Sequence, residues 1–321
     1  MKYIAYPFNE VKRLSFYLAT EEFLARHYPA EEYFFMWQVN PTVIFGRNQL
    51  IENEVNMKYV KDNNIEFYRR KSGGGCVYAD FSNIMFSFIT PNFNKDFVFT
   101  TYLNKVAKTL QDLGLNAQVS GRNDILVDGL KVSGNAFYQV NSRSIVHGTM
   151  LYNTDLSVMV KAITPDNEKL ISKGVDSVRK RVTNVKDHLD ISIEDFKQSI
   201  RYNICDEEII LTNDDIKKIE TIEETYLKED FIYGKNPNYT IKKKKKTEAG
   251  IIEISLELKN NVVKRIEMLG DYFLVGDEDE FLLNFKNKEF TKEAFLKVLE
   301  TIDINNYIYN LSAADFLQIL F

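Results

Sequence analysis

Three consecutive glycines, Gly73-Gly74-Gly75, stand between two strand-like runs, and few folded domains can hold such a stretch in their interior. Each glycine loses more backbone freedom on folding than any other residue, so the triplet must serve a positive φ, a close approach, or a ligand lying on bare N–H groups. Upstream, Ile65-Glu66-Phe67-Tyr68 reads as a strand and runs into Arg69-Arg70-Lys71-Ser72. Downstream, Cys76-Val77-Tyr78-Ala79-Asp80 resumes a strand pattern that continues in Ile84-Met85-Phe86-Ser87-Phe88-Ile89. The two arginines supply planar, multidentate cations suited to phosphate or carboxylate. The pattern predicts a glycine loop between strands with an anion held across it; a plain turn is the alternative. Neither the dinucleotide fingerprint nor the P-loop fits, because both space their glycines apart and lead into a helix.

A second constellation lies at Gly121-Arg122-Asn123-Asp124-Ile125 and Asp128-Gly129-Leu130-Lys131-Val132-Ser133-Gly134-Asn135-Ala136. Asp128-Gly129 is a hairpin signal, since both central residues of a type I′ turn need positive φ. Lys131 then opens the returning strand, with the small residues Ser133, Gly134 and Ala136 near it. It reads either as an edge-strand charge or as a compact cation facing a ligand. A further strand, Ser144 to Leu151, carries His147, one of 3 histidines.

Helical spacing covers 10–26, 55–63, 97–113 and 192–203, while Tyr33 to Val39 and Thr42 to Gly46 read as strands. Helices mixed with clustered hairpins predict an α+β fold with a mixed sheet. A chain of 321 residues exceeds the usual size of one core, and we expect a large domain over 1–245 and a small one over 246–321. The boundary falls between Gly234 and Gly250, where Lys242 to Lys246 form a charged linker or an exposed strand face, and a hinge is expected there. Beyond it, Gly250 to Leu258, a turn at Asn260-Asn261, Val262 to Leu269 and two helices near 291–301 and 312–320 make a small α+β unit.

A balance of 41 basic against 46 acidic residues argues against a nucleic-acid binder. Cys76 and Cys205 are too far apart for a metal-ligand spacing. Met1 to Pro7 has neither the apolar run nor the cleavage site of an export signal, and no stretch approaches the ~20 apolar residues of a membrane span. A soluble, cytoplasmic monomer is expected.

Together the motifs resemble the lipoate–protein ligase family in its long form. The matching elements are Gly46-Arg47-Asn48-Gln49, Arg69 to Asp80, Gly121 to Ile125, Asp128 to Ala136 and His147-Gly148-Thr149. Ser172-Lys173-Gly174-Val175 with Ser177-Val178-Arg179 and Arg181-Val182-Thr183-Asn184 follows, then Tyr233-Gly234-Lys235-Asn236-Pro237. The resemblance spans nearly the whole chain. It implies a mixed-sheet domain of the biotin/lipoate ligase type with a C-terminal accessory domain.

It also implies ATP-dependent activation of lipoate to an acyl adenylate, then transfer to one lysine of a carrier: lipoyl domains of 2-oxoacid dehydrogenase E2 subunits or the glycine-cleavage H protein. Lys131 is the implied catalytic cation. Arg70, Gly75, Cys76, Val77, Tyr78, Asn123, Asp124 and Lys131 are implied for the nucleotide, with Asp124 for Mg²⁺. Trp37, Arg70, Ser72, Gly74, Gly75, Lys131 and His147 are implied for lipoate. Asn123-Asp124 also reads as a turn pair, Trp37 as a core residue, and His147 as a satisfied core histidine. One departure is Ala79, where the family usually places a histidine that lines the acyl pocket; the acyl preference is left open. Two other classes remain: a transferase of the same fold that needs no ATP and would use Cys76 as nucleophile, and a non-catalytic carrier-binding protein.

Overall fold

The computed structural model describes residues 1–49, 51–91, 94–121, 123–163, 181–233, 241–259 and 262–321. Period-two alternation builds its largest sheet. In chain order the strands up to the last long helices are β1 (Lys2–Ala5), β2 (Tyr33–Trp37), β3 (Thr42–Phe45), β4 (Glu66–Arg69), β5 (Val77–Ala79) and β6 (Asn83–Thr90). They are followed by β7 (Ala117–Ser120), β8 (Asp124–Val127), β9 (Leu130–Val140), β10 (Arg143–Leu151) and β11 (Glu207–Ile210). Eight of them form one sheet in the order β11-β1-β2-β6-β10-β9-β8-β7. β1 pairs in parallel with β11 and β2, and the remaining pairings are antiparallel, so the sheet is mixed as expected.

Both faces of this sheet are covered. Tyr33, Phe35 and Trp37 of β2 and Met85 and Ile89 of β6 pack under helices Leu14–His27 and Asn213–Leu227. The alternate residues, Phe34, Ile84, Phe86 and Phe88, pack under helices Lys95–Asp112 and Ile193–Ile204. The period of two therefore decides which side chains reach the first helix, where the polar site is built. Helix Asn213–Leu227 and the short strands β1 and β11 have no counterpart in the sequence expectations.

A separate three-stranded sheet, β4-β3-β5, lies beside the large one. β4 is parallel and β5 antiparallel to the central β3. The Arg70–Cys76 segment thus joins the two outer strands and passes across the end of β3, where the Gly46–Gln49 turn begins. The β8–β9 hairpin is formed as expected, with Asp128 at φ 49 and Gly129 at φ 81.

The C-terminal unit is an antiparallel sheet of β12 (Ile241–Thr247), β13 (Gly250–Lys259) and β14 (Val262–Gly270). Ile252, Ile254 and Leu256 bury one of its faces with Phe281, Phe295 and Phe316 from helices Glu278–Leu283, Lys292–Leu299 and Ala313–Leu320. The lysine run is strand β12, paired with β13 along its length, so it is not the linker. A boundary at 245/246 cuts through this strand; pairing puts all of Ile241–Thr247 with the C-terminal unit. Of the Gly234 to Gly250 stretch expected to hold the hinge, 234–240 lies outside the described residues, as does the turn at 260–261. No described helix is long and apolar enough to cross a membrane.

Candidate active site

Arg70 organises the glycine loop from within. It is 5% exposed, and its Nε donates to Ser72 Oγ at 3.0 Å, its Nη2 to the Gly73 and Gly75 carbonyls at 2.7 Å each, and its Nη1 to the Ile44 carbonyl at 3.1 Å. No carboxylate pairs with it among the described residues, and burial pulls its pKa down to about 10. A guanidinium bonded only to neutral acceptors keeps an uncompensated positive charge at the cavity wall. Arg69 acts differently: its Nη1 holds the carbonyls of Gly46, Arg47 and Gln49, and its plane lies 4.6 Å from the Phe45 ring.

The three glycines divide into two duties. A Cβ on Gly73 would lie 2.2 Å from the Tyr272 carbonyl oxygen, and one on Gly74, at φ +87, would meet the Phe273 ring at 3.0 Å. The Gly74 N–H donates to that same Tyr272 oxygen at 2.9 Å. Two of the glycines therefore receive the C-terminal unit. Only Gly75 has open space where a side chain would stand.

Trp37, Arg70, Gly74, Gly75, Cys76, Val77, Asn123, Lys131 and His147, drawn from five separate stretches of sequence, line one cavity of about 180 Å³. Leu18, Ile44 and Met85 give it an apolar end beside Trp37. A second cavity of about 440 Å³ shares Cys76, Val77, Lys131 and Gly134 and adds Tyr78, Asp124 and Arg181. Lys131 thus borders both. Its Nζ lies 2.8 Å from Asp124 Oδ1, with both side chains about one-third exposed. The butylammonium lies over Gly134, where a Cβ would meet Nζ at 2.8 Å. Its backbone is pinned by the Arg181 carbonyl and the Thr183 N–H.

Asn123 does not reach outward. Its amide donates to the Asn135 carbonyl at 2.7 Å, and the Asn135 amide donates back to the Asn123 carbonyl at 3.0 Å, which clamps the hairpin. Ser72 is off the cavity wall but bonds His147 Nε2 at 2.7 Å. Ala79 is fully buried in the core beside Trp37, Ile44 and Met85 and lines neither cavity. Arg122, Ser172 to Arg179 and Gly234 to Pro237 fall outside the described residues.

Sequence reasoning missed Glu21. Helix Leu14–His27 is buried nearly all round, and Glu21 is 0% exposed within it. His147 and Ser87 are cross-strand partners on the face under this helix. His147 Nδ1 lies 2.9 Å from Glu21 Oε2, Tyr138 donates its hydroxyl at 3.0 Å, and the Ser87 hydroxyl donates to Oε1. Trp37 Nε1 donates to Ser87 Oγ at 2.9 Å. One buried carboxylate so fixes the two side chains, Trp37 and His147, that face the cavity. Two adjacent glutamates in the middle of a mostly apolar helix were the available signal. The second, Glu22, is held by Lys71 at 2.8 Å.

Burial pushes the Cys76 thiol well above its usual range despite Arg70 nearby. A thiol kept protonated is a poor nucleophile.

The turn Gly46–Gln49 also contacts the C-terminal unit. Arg47 Nη2 lies 2.9 Å from Asp279, and the Gly270 N–H donates to the Asn48 carbonyl at 2.6 Å. Tyr272 donates its hydroxyl to Glu278 at 2.7 Å; burial pushes the Glu278 carboxyl up to about 8.

This chain is similar to known proteins over nearly its full length. The family described as lipoyl protein ligase A/B catalytic domain matches residues 14–204, and that described as bacterial lipoate protein ligase C-terminus matches 236–320. Lipoate-protein ligase LplJ of Bacillus subtilis is 35% identical over 316 residues, covering 95% of this chain and 96% of its own. Lipoate–protein ligase 1 of Staphylococcus aureus is 38% identical over 286 residues, covering 86% and 87%. Among solved structures, P. falciparum LipL1 in complex with lipoate superposes with a TM-score of 0.81 at 22% identity, covering 99% of this chain and 97% of that one. Lipoate-protein ligase A bound with ATP gives 0.63 at 24% identity, covering 73% and 98%. At those identities the structures attest the fold.

Proposed function

The chain belongs to the lipoate–protein ligase family, and from there we propose that it activates free lipoate with ATP and passes the lipoyl group to a carrier lysine. The carriers are lipoyl domains of 2-oxoacid dehydrogenase E2 subunits and the glycine-cleavage H protein. One observation carries the reading: Lys131 stands where an apolar-ended cavity meets a larger one that Asp124 and Arg181 also line, with the unpaired charge of Arg70 on the first wall. A fatty-acid-like chain fits beside Leu18, Trp37 and Met85, which directs its carboxylate toward Lys131. The nucleotide fits the larger cavity, which brings its α-phosphate to the same ammonium.

In the first step a lipoate carboxylate oxygen attacks the α-phosphorus, the bond to the β-phosphate breaks, and pyrophosphate departs. Two anions must meet for this, and Lys131 with Arg70 offsets their repulsion in a site of reduced dielectric. Lys131 exchanges its contact with Asp124 for phosphate oxygens. In the second step a neutral carrier amine attacks the acyl carbonyl, AMP leaves with the bonding pair, and the amine loses its proton. Lys131 stays a cation throughout.

Among the described residues no group of three or more His, Cys, Asp and Glu gathers as a metal site, while Asp124 offers one carboxylate beside the larger cavity. Asp124 is the residue that would hold a Mg²⁺ brought in with ATP. Bound there, it would offset the charge of the phosphates.

Mixing protein, ATP and lipoate should yield pyrophosphate and a mass corresponding to bound lipoyl-AMP. Transfer from an acyl thioester without ATP, with neither product formed, would instead establish the transferase chemistry that the protonated Cys76 thiol argues against.

A further inference from the structure

Strand β12 concentrates five lysines, Lys242 to Lys246, in a chain whose net charge is −5. It is the outer strand of its sheet, and Lys242, Lys243, Lys244 and Lys246 are exposed. Its partners on β13 hardly neutralise it: Ser255, Ile254, Glu253, Ile252 and Ile251 stand opposite the five in turn, a single carboxylate among them. Among the described residues Lys243 and Lys246 form no ion pair, and Lys245 bonds the amide of Gln318. Elsewhere surface cations pair freely, as Lys186 does with Asp190 and Lys58 with Asp62. Like charges side by side repel, so the run carries a standing electrostatic cost.

Its position gives that cost a use. Lys244, Ile251 and Glu253 line a cavity of about 170 Å³ together with Gly75, Glu54 and Asp271, so Lys244 meets carboxylates there while Lys242 and Lys246 flank it outside the lining, and Gly75 also lines the acyl cavity. The face that carries Lys242, Lys244 and Lys246 therefore borders the place where an activated acyl group would be handed over, and Lys243, opposite Ile254, stands at the open edge on the other face of the strand.

We propose that the exposed face and edge of β12 are the docking surface for the acyl-accepting protein, and that this partner presents its target lysine within an acidic surface. The assignment rests on the transfer activity proposed above. A positive strip beside the cavity steers a negative domain to the mouth and sets its orientation, an effect on association more than on chemistry. Lysines also guard a sheet edge against pairing with other chains. Glutamates guard an edge equally well, so charge reversal separates the two roles.

The test uses the full chain and the triple variant Lys242→Glu, Lys243→Glu, Lys246→Glu, which spares Lys244 at the cavity. Pyrophosphate release from ATP and lipoate, measured without acceptor, should match the parent. With a purified apo lipoyl domain of net negative charge, KM should rise about tenfold at low salt. The salt dependence seen for the parent should vanish, and kcat at saturation should stay. The neutral pair Lys243→Gln, Lys246→Gln should give a smaller shift in KM. Equal KM and equal salt dependence in a variant of unchanged melting temperature would overturn the docking surface. If the parent forms no adenylate, the ligase reading fails instead. Calorimetric titration with the same lipoyl domain then judges the surface alone: weaker binding by the triple variant supports it, and equal binding rejects it.

Discussion

An ammonium 2.8 Å from one carboxylate and about one-third exposed, as Lys131 is, can change partners at little cost, because exposed ion pairs contribute only about 0–1 kcal/mol. Lys131→Ala should therefore leave unfolding within about 1 kcal/mol of the parent. Adenylate formation should fall about 10²–10³-fold, as when a preorganised donor is removed from a transition state. Pyrophosphate release beside a denaturation curve checks both halves, and near-normal turnover would take Lys131 out of the chemistry. Cys76→Ala should keep its activity in the same assay, since burial holds the thiol in its protonated form. Glu21 behaves in the opposite way. Removing a fully buried carboxylate that receives Ser87 and Tyr138 and contacts His147 strands those groups, so Glu21→Ala should cost about 2–4 kcal/mol in urea unfolding. A variant as stable as the parent would show that the network is held elsewhere. Lys131, Arg70 and His147 were legible because each sits in a short motif with its own chemistry. Glu21 was not, because it meets His147 only when a helix 126 residues away in sequence folds over the sheet.

Among elements, the glycine loop shows what a sequence can and cannot convey. Gly73-Gly74-Gly75 announces that backbone must be approached closely, but not by what. The structure puts the C-terminal unit on the first two and open space at the third. Gly73→Ala would set a methyl 2.2 Å from a backbone carbonyl that cannot swing aside as a side chain can. Its expected result is a displaced C-terminal unit, seen as a larger radius in small-angle scattering and new protease sites between the units. Gly75→Ala meets nothing within 4 Å. It should keep the parent scattering profile, and its effect should appear as weaker ligand binding. Matching scattering for Gly73→Ala and the parent would remove the Tyr272 contact from the set that holds the units together. The lysine run stays ambiguous for a related reason. Charge density marks solvent and leaves a linker and an exposed strand face both open; pairing with β13, whose Ile252, Ile254 and Leu256 bury one face, decides for the strand. Strands β1 and β11, four residues each, carry too little pattern to declare themselves; β1 is anchored on β2, and β11 joins the sheet through β1.

For the molecule as a whole, the seam between the two units is built from carboxyls whose protons are unusually persistent. Burial pushes Glu278 up to about 8, beside Tyr272, Asn48, Arg47 and Asp279. Burial and the charge of Asp271 push Glu54 up to about 7, with Lys244 opposing. Both carboxyls sit above the ordinary carboxylate value of about 4.3, so their contribution to stability is full below that value. It is lost as the pH rises through about 7 for Glu54 and about 8 for Glu278. Near pH 6 both are neutral and the seam closes without buried charge. Near pH 9 both are ionised, each facing one acidic neighbour and one cation. Because the seam includes the Gly74–Tyr272 hydrogen bond beside the cavity that Trp37 and Lys131 line, its loosening should free that main-chain donor and open the cavity. Scattering should therefore report a wider separation of the units at pH 9 than at pH 6, and proteolysis between them should quicken in step. Glu278→Gln, which stays neutral at every pH, should flatten most of that response while leaving the pH 6 profile unchanged. Profiles that coincide at the two pH values in the parent would mean that the seam is held by Arg47–Asp279 and the backbone bonds alone, and that the two carboxyls do not govern it.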